Sequence, residues 1–213
     1  MRTETIERVV YAYDELNDDA KEKAREWYAS DLPYEWWDSV FEDFERICEI
    51  LGVELSTDRV ELMNGSFRRK SRIWFNGFYH QGSGSSFEGD YMYKKGAHKA
   101  IREYAPMCET LHDVADSLLA IQKANFYRVT ASISNNGRYH SLSVDSQLID
   151  YVNGGSDYAD ADIDDDVKDA FDTLNGWLYS SLEREYEYLT SDEVIEESFR
   201  ANGYEFDENG EII

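Results

Sequence analysis

The chain has 213 residues, with 45 Asp and Glu against 21 Lys and Arg, a formal net charge of −24 and a pI near 4.4. Its 42% hydrophobic and 15% aromatic content is that of a folded globular protein, which excludes general disorder. No apolar run approaches the ~18 residues that cross a bilayer, and so negative a field excludes direct nucleic-acid binding through the whole surface.

Taken in chain order, Ile6 to Tyr13 predicts a first strand, with Ile6, Val9 and Val10 beside Tyr11 and Tyr13. Asn17 is placed to cap a helix, followed by acids that suit its positive end. Ala20, Ala24, Trp27 and Tyr28 carry that helix to about Ser30, and Pro33 separates it from the next. Trp37, Val40, Phe41, Phe44, Ile47, Cys48 and Leu51 form an apolar helical stripe closed by Gly52. Val53 to Leu62 predicts a strand, and Asn64-Gly65 a turn before the basic run Arg68-Arg69-Lys70 with Arg72. That run is short and is expected to pair with the chain's own carboxylates.

Ile73 to Tyr79 predicts an aromatic strand returning as Phe87 to Tyr93, a hairpin around the Gly- and Ser-rich loop 81–86. A short helix is expected over Ala97 to Tyr104, broken by Pro106. Leu111, Val114, Ala115, Leu118, Leu119 and Gln122 then mark an amphipathic helix ending near Lys123. Phe126 to Ser134 and Tyr139 to Asp145 flank Asn135-Asn136-Gly137, a hairpin signal. Residues 153–162 read as a polar loop. Beyond it a long helix starts near Asp164, with Val167, Phe171, Leu174, Trp177, Leu178, Leu182, Tyr186 and Leu189 as its stripe. Thr190 and Glu193 have capping-box spacing before a last helix closed by Asn202-Gly203. The fold class is therefore α+β: an antiparallel sheet of about four to six strands with helices packed on it, plus a C-terminal acidic helical part. The expected division is an α+β domain over 1–152 and acidic helices over 153–213, packed on it as one unit.

Charge is uneven along the chain. Residues 151–213 hold 19 acids and 3 bases, whereas residues 59–102 hold 9 bases and 3 acids. Asp157, Asp160, Asp162, Asp164, Asp165 and Asp166 invite a calcium loop, but a loop starting at Asp160 has Asp165 and Phe171 where Gly and Glu are required. His80, His98, His112 and His140 lack metal-site spacing, and Cys108 with His112 has no visible third group. The Gly-rich loop lacks the Lys-Ser/Thr ending of a phosphate loop. No cofactor, metal or catalytic group is expected. Only His80 and Asp90 near that loop motivate an enzymatic reading. The two cysteines fit free thiols in a reducing cytoplasm, and the N-terminus shows no apolar signal segment.

The segment FNGFYHQGSGSSFEG, residues 75–89, resembles the FSGF-x-SQGDGASFEG-type segment of an uncharacterised family of bacteriophage and prophage proteins. Tyr11 to Tyr28, YAYDELNDDAKEKAREWY, and the Trp- and Glu-bearing stretch Trp36 to Leu51 are similar to further parts of that family. The chain departs from it at Ser83, where the family has Asp. Members are sometimes labelled antitoxins, which implies binding to another protein. Charge map and resemblance together lead to an expected phage-encoded, non-enzymatic acidic protein in the bacterial host cytoplasm. It would bind and inhibit a host nucleic-acid-binding defence protein, of the anti-CRISPR or anti-restriction type, by DNA mimicry. The alternative is an antitoxin-like protein neutralising a co-encoded toxin. Either partner would offer a basic surface, and a homodimer stays open. The expected contacts are Asp165, Asp169, Asp172, Glu183, Glu187, Asp192, Glu193, Glu196 and Glu197 on the C-terminal helices, with Gln81, Ser83 and Ser85 in the loop.

Overall fold

The computed structural model describes residues 8–32, 35–63, 65–137 and 140–213. They form an α+β fold that divides into two compact units, residues 1–37 with 184–213, and residues 38–183. The sequence predicts a boundary at 152/153. The chain instead leaves the first unit after Trp37 and re-enters it at Arg184, within one long helix.

In the first unit, β1 (Tyr11–Ala12) pairs antiparallel with β11 (Glu205–Phe206), Tyr11 opposite Phe206. The strand expected from Ile6 to Tyr13 begins outside the described residues. Its described end is cut short because Tyr13 enters a 3-10 turn, Tyr13–Glu15, and is buried. Asn17 caps α1 (Asp18–Ser30) as expected, its side-chain oxygen accepting from the Ala20 N–H at 2.9 Å. α1 and α6 (Asp192–Asn202) enclose Tyr13, Ala20, Ala24, Ile195, Phe199 and Phe206, and the Phe199 ring lies 5.1 Å from both Tyr13 and Phe206. The expected Thr190–Glu193 capping box does not form. Ser191 occupies the cap position without a side-chain bond there, while the Thr190 hydroxyl donates back to the Tyr186 carbonyl at 2.8 Å.

The second unit opens with α2 (Asp38–Leu51), whose stripe is buried at Val40, Phe44, Ile47, Cys48 and Leu51 and half-buried at Phe41. Gly52 ends it at φ +92, where an added Cβ would stand 2.3 Å from the Met92 carbonyl. The strand expected over Val53–Leu62 is two strands. β2 (Val53–Leu55) joins the main sheet and β3 (Thr57–Glu61) pairs with β4 (Phe67–Ser71), the chain changing partner at Ser56. Arg72 fastens this junction: its guanidinium meets Asp58 and Glu88, each at 2.9 Å, so part of the basic run is paired internally. β5 (Ile73–Phe75) and β6 (Ser85–Phe87) make the expected hairpin, but β7 (Gly89–Met92) leaves it for the main sheet.

That sheet is antiparallel, in the order β10-β9-β8-β7-β2, with β8 at Val129–Asn135, β9 at Leu142–Ile149 and β10 at Ser156–Tyr158. β10 occupies part of the segment expected to be loop. Phe126 and Tyr127, expected in a strand, instead have left-handed φ values of 54° and 60°. Between β2 and β10 the chain also forms α3 (Ala97–Tyr104) and α4 (Glu109–Ala124), and it continues into α5 (Ala161–Leu189).

α4 and α5 cover the inner face of the sheet. Phe171 of α5 packs 5.3 Å from the Tyr91 ring, and the α4 side chain Gln122 bonds to Tyr91 and Val129. Burial pushes the Tyr91 phenol up to about 12, against the pull of the Gln122 hydrogen bond. Because the folded value lies above the unfolded one, this stabilisation is full below pH 10 and lost as pH rises towards 12. Two pH units correspond to about 3 kcal/mol. Alkaline unfolding followed by circular dichroism should therefore be steeper in wild type than in Tyr91→Phe; identical profiles would refute the assignment.

Candidate binding surface

α4 and α5 run beside each other with a groove of about 400 Å³ between them. Helical periodicity explains its chemistry. Residues turned towards the sheet are apolar, and those one step round the helix are short and polar. Its floor includes Val114, Ile121 and Ala170; its rim carries Asp113, Asp166 and Asp169 with Ser117 and Thr173. Among the described residues no Lys or Arg lines it. The position of α5 is fixed from the sheet, since Asp164 accepts from the Ser146 N–H at 2.8 Å. Asn175 holds β6 through its bond to the Ser85 carbonyl at 2.8 Å. An open trough with aliphatic walls and a carboxylate rim suits a Lys or Arg side chain, whose stem is apolar and whose head is charged.

A domain of unknown function, DUF8835, matches residues 36–192. The chain belongs to this family. No curated protein and no solved structure matches it. The DUF8835 stretch contains the groove and the Gly-rich loop, whereas β1, α1 and β11 lie outside it.

The expected contact residues are divided between the two units. In residues 38–183, Asp165 and Asp169 are exposed, and Asp169 stands on the groove rim. Asp172 is held by Lys168 one turn earlier, and Glu183 is half-buried. In the other unit Glu187, Glu193 and Glu197 are exposed. Asp192 and Glu196 there are occupied by Arg25, at 3.2 Å each. Burial works to raise the Glu196 carboxyl, but hydrogen bonds from Tyr13 and Arg200 outweigh it and hold the group below its ordinary value. Arg200 likewise depresses Asp14 through its hydrogen bonds. These acids knit the 3-10 turn Tyr13–Glu15, α1 and α6 together.

In the loop between β5 and β6, Gln81 is exposed at the tip and Ser83 is structural, its hydroxyl accepting from the His80 N–H at 3.0 Å. Gly77 suits its place: its φ of +59 is left-handed, and an added Cβ would meet the tip of the exposed His80 ring at 2.6 Å, so a substitution there is strained. Ser85 is corrected as a contact residue. It is 2% exposed and its hydroxyl is turned to Asn175, so it pins β6 to α5 and presents no surface.

The other candidate chemistries are also located. His112 spends its ring on the Ala105 carbonyl at 2.9 Å, and Cys108 precedes α4 without a bond to it from that ring. His80 lies in the hairpin loop and Asp90 on β7, with no hydrogen bond between them. Among the described residues no group of three His, Cys, Asp or Glu is arranged to hold a metal, and no helix is long and apolar enough to cross a membrane. Sequence reasoning missed Asp113. It lies beside the α4 stripe, but which flank of α4 faces α5 is a tertiary fact with no local signal.

Proposed function

We propose that the protein acts by binding rather than catalysis, holding a basic segment of a partner protein in the acidic groove between α4 and α5. The observation that carries this is the pairing of an aliphatic floor, Val114, Ile121 and Ala170, with a rim of Asp113, Asp166 and Asp169 on which, among the described residues, no lysine or arginine stands. Over the first turns of α5, Asp162, Asp165, Asp169 and Asp172 recur every three or four residues, a spacing of about 5 Å, which suits a groove built to take the phosphates of a nucleic acid. The partner we infer is accordingly a nucleic-acid-binding host protein, and the effect on it is inhibition. The net charge of −24 speeds encounter with such a partner and disfavours competing acidic proteins. The phage-like segment at residues 75–89 supports a role against a host defence protein.

An arginine-rich decapeptide titrated against the protein by calorimetry tests the groove directly. Wild type should bind with an affinity that falls steeply with salt. Asp113→Lys/Asp169→Lys should bind roughly 100-fold more weakly. Equal binding by both proteins would reject the groove as the site. A pull-down from host lysate with duplex DNA as competitor tests the partner class: release by DNA is expected, and capture of a DNA-indifferent, co-encoded protein would reject the mimic.

A further inference from the structure

Acids are absent from two stretches of this acidic chain. Residues 91–102 hold 4 bases and residues 117–144 hold 3, and neither stretch holds an Asp or Glu. The fold brings the two together. Met92 pairs with Thr130 where β7 meets β8, and the Tyr93 ring lies 4.6 Å from that of Tyr127. Part of the charge is spent within the chain: Lys94 donates to the Glu49 carbonyl, Arg102 pairs with Asp116, and Arg128 donates to the Asn125 carbonyl beside Asp150. Lys95, Lys99 and Lys123 are exposed, and among the described residues none of the three makes an ion pair. Lys95 stands two residues beyond Tyr93, and the Lys123 carbonyl accepts from the Phe126 N–H at 3.4 Å. One free lysine thus approaches the aromatic group from β7 and another from α4.

The turn that carries Phe126 and Tyr127 is strained and yet fixed. Consecutive left-handed residues with side chains of this size are uncommon. The Phe126 ring finds little packing in return: it is 78% exposed and meets no other ring among the described residues. Bonds on either side impose the conformation. The Tyr127 N–H donates to the Gln122 carbonyl at 2.6 Å, and the Asn125 amide donates to the Ile121 carbonyl at 2.9 Å. A strained backbone that holds an apolar ring in water marks a position kept for contact rather than for folding.

We propose that this end of the sheet is a binding site for single-stranded nucleic acid. Successive bases stack on the rings of Phe126 and Tyr127, while Lys95 and Lys123 meet the phosphates between them, the combination that single-strand binders use without reading sequence. A duplex fits poorly, because its bases are already stacked and its denser charge meets the field of the whole chain. An acidic peptide would satisfy the lysines but leave the rings unused.

Fluorescence anisotropy of the full chain with a labelled oligothymidylate tests the site. Wild type should bind the single strand at least roughly 10-fold more tightly than a duplex of the same length. Phe126→Ala should weaken binding about 10-fold, Phe126→Tyr should retain it, and Lys95→Glu/Lys123→Glu should abolish it. Phe126→Gly should lose binding yet unfold at no lower temperature than wild type, since glycine adopts positive φ without strain; a merely structural ring would give the opposite result. Polyglutamate should not displace the oligonucleotide. No binding by wild type, equal affinity for the duplex, unchanged binding by Phe126→Ala, or displacement by polyglutamate as effective as by unlabelled oligonucleotide would each overturn the proposal.

Discussion

Replacing Phe171 by alanine is expected to lower stability by about 4 kcal/mol, the range for deleting a fully buried phenyl ring. Phe171 is 0% exposed and sits where three elements meet, 5.3 Å from the Tyr91 ring and 6.5 Å from Phe87. Phe87 in turn faces Phe44 of α2 at 5.1 Å, so one aromatic chain joins α2, β6, β7 and α5. Alanine removes both the transfer energy of the ring and its packing, and the surrounding rings are too rigid to fill the space. Urea unfolding should show a lower midpoint with an unchanged slope. Phe171→Leu, which keeps most of the volume, should cost about 1.5 kcal/mol or less. Equal losses for both variants would place the effect elsewhere than in the cavity.

Gln122 is the second site of large expected effect, for a different reason. It is 0% exposed, and its amide spans two backbone groups of one residue, donating to the Val129 carbonyl at 2.7 Å and accepting from the Val129 N–H at 3.2 Å. Through these bonds α4 is fastened to the start of β8. Gln122→Leu strands both backbone groups in a dry interior, at about 1–3 kcal/mol each. The combined loss should rival that of Phe171→Ala, although the side chain is nearly isosteric. Gln122→Glu offers a sharper reading. A neutral carboxyl can reproduce both bonds, whereas a carboxylate repels the Val129 carbonyl and is poorly solvated. Its folded pKa is raised, so the variant should be most stable at acidic pH and lose stability as pH rises through that raised value. A variant equally destabilised at pH 5 and pH 8 would contradict the hydrogen-bond assignment.

Much of this architecture could be read from local patterns. The stripes of α2 and α5 and the Asn136-Gly137 signal between β8 and β9 all depend on residues close in sequence. The elements that were missed are those decided by distant partners. Ser156, Asp157 and Tyr158 form β10 only because β9 offers an open edge, and all three are exposed, so no alternation betrays them. Val53 to Leu62 looks like one strand, yet Ser56 bonds to Glu88 and Arg72 and diverts the chain from one sheet to another. The acidity of α5 was legible. The groove was not, because it needs Asp113 from a helix that begins some fifty residues earlier in the chain. Ser85 looked like a loop residue because its neighbours are glycine and serine, but its backbone belongs to β6.

The discontinuous first unit has a consequence for synthesis. Residues 38–183 emerge from the ribosome as an uninterrupted block and contain all the contacts that define their own unit. Tyr13, Ala20 and Ala24 must wait for Ile195, Phe199 and Phe206. During translation the N-terminal segment is thus held without its core while the inserted block is made and folds. Among the described residues β11 follows the other strands off the ribosome, and it pairs with β1, which precedes them.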